Sequence, residues 1–217
     1  MITLMSNSQP RTGPKPRHSQ AKIVLAAIAL ADAQGMGAVS IRAVAAQIGA
    51  GAASLYRYVE SLDELTGLML ERISGEYELH SLAGSSGEQL LGLSRQGLQI
   101  MRRHPWVPAL AMGKQAMGPN ALAYLESGLA ALEDSTMAAG AKLHCLAMLN
   151  AIIAAFALNE QSQQQPRDPE ALFAALASGA YPHLATVLGQ VPEPMDPQLA
   201  FENAIVNYLR GAGVIPS

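Results

Sequence analysis

Cysteine is almost missing from this chain: of 217 residues only Cys145 is one. No disulfide can form within it, and a reducing compartment, the cytoplasm, is expected. Cys145 lies in an apolar helical stretch and reads as a buried structural thiol. Aromatic residues make up 5% and charged residues 14%. No segment alternates apolar and polar residues in the manner of a half-buried strand. No uncharged apolar run reaches transmembrane length with lipid-like composition; the longest, residues 143–158, includes His144 and Asn150 and reads as a packing helix, so no membrane partner is expected. Residues 1–10 are polar and lack the apolar segment of a signal peptide. His80, His104, His144 and His183 are scattered, with no metal-ligand spacing between them. No local nucleophile–histidine–acid motif stands out either. The glycines at 49 and 51 follow no strand and are joined by no Gly-Lys-Ser/Thr, which argues against a nucleotide loop. Hence no catalytic residue, metal or cofactor is expected.

What is present is helix-forming. Half of the residues are hydrophobic, alanine is abundant, and Leu, Met, Glu and Gln add to the helical bias. The chain reads as all-α. The most informative stretch is residues 40–59, SIRAVAAQIGAGAASLYRYV. Ser40 is a good N-cap. Ile41, Val44, Ala45 and Ile48 then form one apolar stripe, and Gly49 stands where a left-handed residue ends a helix. A second short helix starts near Ala52. It turns Leu55 and Val59 inward, leaves Ser54, Arg57 and Tyr58 outside, and sets Tyr56 at the edge. This is the build of a helix-turn-helix, whose second helix enters the major groove of DNA.

Charge supports it. The net charge is −3, but it is unevenly divided. In residues 1–60, Arg11, Lys15, Arg17, Lys22, Arg42 and Arg57 face only Asp32 and Glu60, a balance of +4 that leaves −7 for the remainder. The phosphate-binding surface is therefore expected at the N-terminal end.

Residues 1–18, with three prolines and several basic residues, read as a flexible arm whose Lys15 and Arg17 can reach a minor groove. A helix over 19–34 follows, with Ile23, Ala27, Leu30 and Ala31 inward and Gly35 at its end. After the helix-turn-helix, Ser61 and Glu64 make a capping-box pattern opening a helix that is expected to run to about 78–80. Residues 84–87 (Gly-Ser-Ser-Gly) mark a boundary between a domain at 19–80 and a second at 85–217. In the second, helices are expected at about 88–103, 106–115, 120–132, 137–163, 169–178, 182–189 and 197–210.

Residues 20–77 resemble the DNA-binding domain of the TetR family of bacterial transcriptional regulators. The resemblance rests on the first helix ending at Gly35, Ser40-Ile41-Arg42, the Gly49 turn, Leu55-Tyr56-x-Tyr58-Val59 and Ser61-Leu62-x-Glu64-Leu65. Beyond residue 85 the helix order, His104-Pro105-Trp106 and residues 124–129 (YLESGL) are similar to the tetracycline-repressor-like C-terminal domain. The resemblance implies a homodimer, a palindromic operator on double-stranded DNA and a small-molecule inducer in the second domain. It implies phosphate contacts for Ser40, Tyr56 and Tyr58, base-edge contacts for Arg42, Ala52, Ala53 and Ser54, and either role for Arg57. Two departures stand out. Leu62 occupies a position where the family often has a phosphate-binding lysine, and no histidine matches the one that helps hold a metal–tetracycline complex.

The expected ligand set is Met101, Met112, Met117 and Met148 with Trp106 and Tyr124, Met side chains suiting irregular ligands. Gln115, Asn120 and Asn150 are its polar members. His104 joins the set by position, although packing at the junction between the domains also explains it. The small residues of the helix near 137–163 and the broad apolar surface of the helix near 197–210 are expected to form the dimer interface. The function read from the sequence is a ligand-responsive DNA-binding regulator, in the first place a repressor. An all-α enzyme or a helical interaction module using the second domain's pocket is the alternative.

Overall fold

The computed structural model describes residues 19–111, 113, 118–163, 169–190 and 196–216, and no strand occurs among them. Helix α1 (Gln20–Gln34) is capped by Ser19, whose Oγ accepts from the Lys22 N–H at 3.3 Å. After a 3-10 turn at Met36–Ala38 come α2 (Ile41–Gln47) and α3 (Ala52–Leu55). The Ser40 hydroxyl caps α2 through the Ala43 N–H at 3.1 Å. Gly49 turns the chain between them at φ +68°, a conformation that disfavours any side chain. Helix α4 (Leu62–Ser74) starts at Ser61, whose Oγ accepts from the Glu64 N–H, while the Glu64 carboxylate accepts from the Glu60 N–H. Ile23, Ala27, Val44, Leu55, Leu65 and Met69 are each fully buried, so α1 to α4 share one core.

Helix α4 is shorter than its apolar pattern predicts. It ends at Ser74, because Gly75 lies against α7 (Pro119–Ala131): a Cβ at position 75 would come within 3.0 Å of the Asn120 amide. The chain therefore leaves the helix axis two residues before Tyr77. Helix α5 (Ser86–Arg103) starts earlier than expected, since Ser85 and Glu88 form a complete capping box. The remaining helices are α6 (Val107–Ala111), α8 (Ala139–Gln163), α9 (Pro169–Ala177), α10 (Pro182–Gly189) and α11 (Pro197–Gly211).

Helix α8 is the spine of the second half, packing on α5, α6, α7 and α11. By length and composition alone it could cross a membrane, contrary to the shorter run read from sequence. Its buried side, Cys145, Leu146, Leu149, Ile153, Ala154 and Ala157, is that of a core helix. Burial pushes the Cys145 thiol pKa up, which keeps it inert. The apolar surface of α11 is divided: Phe201, Ile205 and Leu209 are buried in this chain, while Leu199 is 53% exposed. Arg95 in α5 forks onto Glu202 in α11 with two 2.8 Å bonds, which hold the Glu202 carboxyl down to about 2.

Where α7 crosses α8, Gly128 admits Leu146. A Cβ at 128 would sit 2.7 Å from Leu146 Cδ2, and Leu146 is itself buried, 1% exposed. Overpacking typically costs ~1–3 kcal/mol, against ~1 kcal/mol that alanine gains over glycine within a helix. Gly128→Ala is therefore expected to lower the midpoint of urea unfolding; an unchanged or raised midpoint contradicts this packing.

Candidate DNA interface and ligand cavity

Exposed cations stand on α1, on α2 and in the turn that follows α3. Arg42 and Arg57 are exposed, as is Lys22 on α1, and none of these side chains has a hydrogen-bond or ion-pair partner among the described residues. In the second half, by contrast, Arg95, Arg102 and Arg103 are paired with Glu202, Glu160 and Glu76 at 2.8, 2.6 and 2.7 Å. Exposed cations without a partner among the described residues suit a polyanionic partner.

Around these cations, Ala53 is exposed, and Ala52 packs partly on the core. The Ser54 hydroxyl donates to the Gly51 carbonyl at 2.7 Å. Ser40 is exposed while capping α2. The two tyrosines exchange the places expected for them. Tyr56 is 56% exposed, whereas Tyr58 is half-buried against the core and its carbonyl accepts from Gln20 Nε2 at 2.9 Å. The cause is that α3 lasts only four residues and Tyr56 to Tyr58 form a turn, so helical spacing does not apply there. Leu62 is 41% exposed beside this surface. Lys15 and Arg17 lie outside the described residues.

A cavity of about 320 Å³ lies between α4, α5, α7 and α8. Met101, Tyr124 and Asn150, three of the expected ligand residues, line it. Tyr124 donates its hydroxyl to Asn150 Oδ1 at 2.8 Å, and burial pushes its pKa up to about 12. Tyr77 also lines the cavity, its ring centroid 4.7 Å from that of Tyr124 with a 43° tilt. Sequence reasoning missed Tyr77 because it ran α4 straight through Gly75. Ser74, Leu70, Ile73 and Val107 complete much of the wall.

Four other expected residues are not part of that wall. Asn120 ties α7 to α4: its N–H donates to Glu71 Oε1 at 2.7 Å and its Nδ2 to the Glu71 carbonyl at 3.1 Å. A second N–H, from Ala121, reaches Glu71 Oε2 at 3.2 Å. The carboxylate thus sits at the positive end of the α7 dipole. Met148 is half-buried on α8 and does not line the cavity. His104 and Trp106 point to α1. His104 Nδ1 lies 2.8 Å and Trp106 Nε1 2.7 Å from Asp32 Oδ1, and His104 Nε2 lies 3.3 Å from Glu76 Oε1. His104 therefore packs at the junction, and Trp106 borders a separate cleft with Asp32, Met36 and Leu110. Met112, Gln115 and Met117 lie outside the described residues.

A helix-turn-helix with exposed cations, joined through one helix to a helical body with a partly open cavity, defines the class of ligand-responsive DNA-binding regulators. Comparison with known proteins agrees. Residues 23–66 match the family described as bacterial regulatory proteins, tetR family, and residues 82–211 match the tetracyclin repressor-like C-terminal domain. The transcriptional repressor DrrR1 of Streptomyces coeruleorubidus is 31% identical over 194 residues, 82% of this chain and 72% of that protein. The structure of ActR from Streptomyces coelicolor in complex with actinorhodin superposes with a TM-score of 0.74 at 25% identity, covering 90% of this chain and 95% of that one. ActR in complex with (S)-DNPA gives a TM-score of 0.75 at 24% identity, over 90% and 97%.

The chain belongs to the TetR family of bacterial regulators. It is a DNA-binding transcriptional regulator rather than an enzyme, with a helix-turn-helix domain joined by α4 to a larger helical domain.

Proposed function

We propose that this protein is a repressor that binds a palindromic operator as a homodimer and is released by a small molecule entering the Tyr77–Tyr124–Asn150 cavity. The observation that carries the operator reading is that Lys22, Arg42 and Arg57 are exposed and have no partner among the described residues, in a protein whose body pairs Arg95, Arg102 and Arg103. Arg42 and Ser54 are assigned to base edges, with Ala52 and Ala53 placed to meet thymine methyls. Ser40, Tyr56 and Arg57 are assigned to phosphates, and Lys15 and Arg17 to the flanking minor groove. Tyr58 contributes through its outer edge only.

The domain division is put at 19–80 and 85–217. Family members act as dimers, and uncovered apolar side chains support one here. On α8, Leu143 and Leu158 are 52% and 41% exposed, with exposed Ala147 and Ala155 between them. Leu199 adds an apolar residue from α11, and α9 and α10 expose Phe173 and Val187. A second copy of α8 and α11 packed against the first buries this surface. Two recognition helices would then meet half-sites about 34–36 Å apart. A DNA-binding regulator works beside the chromosome, in the cytoplasm.

Selection of bound duplexes from a random pool tests the proposal. The expected outcome is an inverted repeat with one helical turn between half-site centres. Affinity for the selected duplex should fall steeply with salt, the mark of released counterions. Recovery of no enriched sequence by a well-folded dimer at low ionic strength contradicts it.

A further inference from the structure

The cavity wall carries two polar groups whose hydrogen-bonding capacity is not used. Tyr77 is half-buried, and its hydroxyl is the enclosed end: it lies against Gly97 of α5, where a Cβ would come within 2.8 Å of it. That hydroxyl has no hydrogen-bond partner among the described residues. Burial raises the Tyr77 pKa well above 10, so the phenol stays protonated and remains a donor. Asn150 is the second case. Its Oδ1 is taken by the Tyr124 hydroxyl at 2.8 Å, which turns the amide so that Nδ2 is left as a free donor. Donors left unpaired on a half-buried wall are available to an occupant that can accept from them.

The rest of the wall limits what that occupant can be. None of the described residues lining the cavity is charged. An ionised ligand would lose part of its hydration there without a compensating charge from the described residues. The tilted Tyr77–Tyr124 pair offers aromatic surface suited to a flat ring system. Leu70, Ile73, Ile100 and Met101 offer apolar contact around it. A volume of about 320 Å³ admits a compact polycyclic molecule.

We infer that the cavity selects an uncharged, planar aromatic ligand bearing a carbonyl acceptor, and that Tyr77 and Asn150 are the specificity-determining residues that read that carbonyl. This rests on the reading of the cavity as the inducer site. Gly97 is part of the arrangement, because a side chain there would displace the Tyr77 hydroxyl.

Calorimetric titration of the full-length protein without DNA tests the inference with three probes of nearly the same shape: 9-fluorenone, fluorene and 9-fluorenone-2-carboxylate. The ketone should bind about tenfold more tightly than the hydrocarbon, the amount one good hydrogen bond supplies. The carboxylate should bind most weakly. Tyr77→Phe should remove most of the ketone's advantage while leaving fluorene affinity and the melting temperature nearly unchanged. Asn150→Asp keeps the acceptor for Tyr124 but replaces the donor by a carboxylate, and should also weaken the ketone. Equal affinity for ketone and hydrocarbon, an advantage undiminished in Tyr77→Phe, strongest binding of the carboxylate, or no binding of any probe each overturns the inference. Because the titration contains no DNA, its failure leaves operator binding standing, and a failure to bind operator leaves the titration readable.

Discussion

Arg42→Ala weakens operator binding by at least about 30-fold. Bidentate arginine contacts to guanine are worth about 1–3 kcal/mol of discrimination each, and a symmetric dimer loses one at both half-sites. The physical setting favours a value within that range. Arg42 is exposed at the start of α2, it has no partner among the described residues to release before meeting DNA, and the α2 backbone beneath it is fixed by the Ser40 cap and by buried Ile41 and Val44. Removing a base-reading side chain should also relax sequence preference at one position of each half-site. Arg57→Ala, by comparison, should weaken binding to all sequences alike and reduce the salt slope by about one for each phosphate it no longer neutralises. Arg95→Ala provides the control, since it breaks the Glu202 pair far along the chain and removes a charge of the same kind. Gel-shift titrations over a range of salt read all three. Arg42→Ala binding as tightly as the parent, in a folded dimer, removes the α2 N-terminus from the interface.

The sequence revealed the parts of this protein that are governed by local chemistry. Ser40 and Ser61 each cap the helix that follows, and Gly49 takes the positive φ that its place in the turn demands. The inward stripe of α1 is buried residue for residue. What periodicity could not supply are features fixed by contacts between distant segments. The end of α4 depends on how closely Gly75 approaches Asn120, and nothing near residue 75 reports that neighbour. Tyr77 enters the cavity wall as a consequence. Tyr56 and Tyr58 change places because α3 stops after one turn. His104 and Trp106 resemble a ligand pair in the sequence, yet both are taken by Asp32, more than seventy positions away. Among the expected ligand residues, those on α7 and α8 that line the cavity could be found from position alone only in part, as Tyr124 and Asn150 show against Asn120 and Met148.

Asp32→Ala should destabilise the protein by about 2–3 kcal/mol and separate the unfolding of the DNA-binding helices from that of the body. One carboxylate oxygen receives both the Trp106 indole N–H and the His104 ring at 2.7 and 2.8 Å, and these two residues are only 5% and 8% exposed. Alanine leaves the Trp106 indole N–H without its acceptor and leaves His104 only the 3.3 Å contact with Glu76, and an orphaned buried polar group costs about 1–3 kcal/mol. The position of this tie gives it a wider consequence. Asp32 lies on α1, whereas His104 and Trp106 follow the end of α5, within two turns of Met101, which borders the cavity. Glu76 takes Arg103 and His104, and Glu71 takes the start of α7, so three carboxylates of the first 80 residues are bound by donors from the body. This arrangement makes the junction a set of polar ties that a shift of α5 or α7 can tighten or loosen. A ligand that changes their geometry changes the spacing of the recognition helices, and typical couplings of about 1–3 kcal/mol need no more than one such tie. Asp32→Asn, which keeps an acceptor oxygen, should lose less. Urea unfolding followed both by far-ultraviolet circular dichroism and by Trp106 fluorescence should show one shared transition in the parent and two offset transitions in Asp32→Ala. A variant that unfolds in a single transition at the parent's midpoint shows that Asp32 does not tie the two regions together.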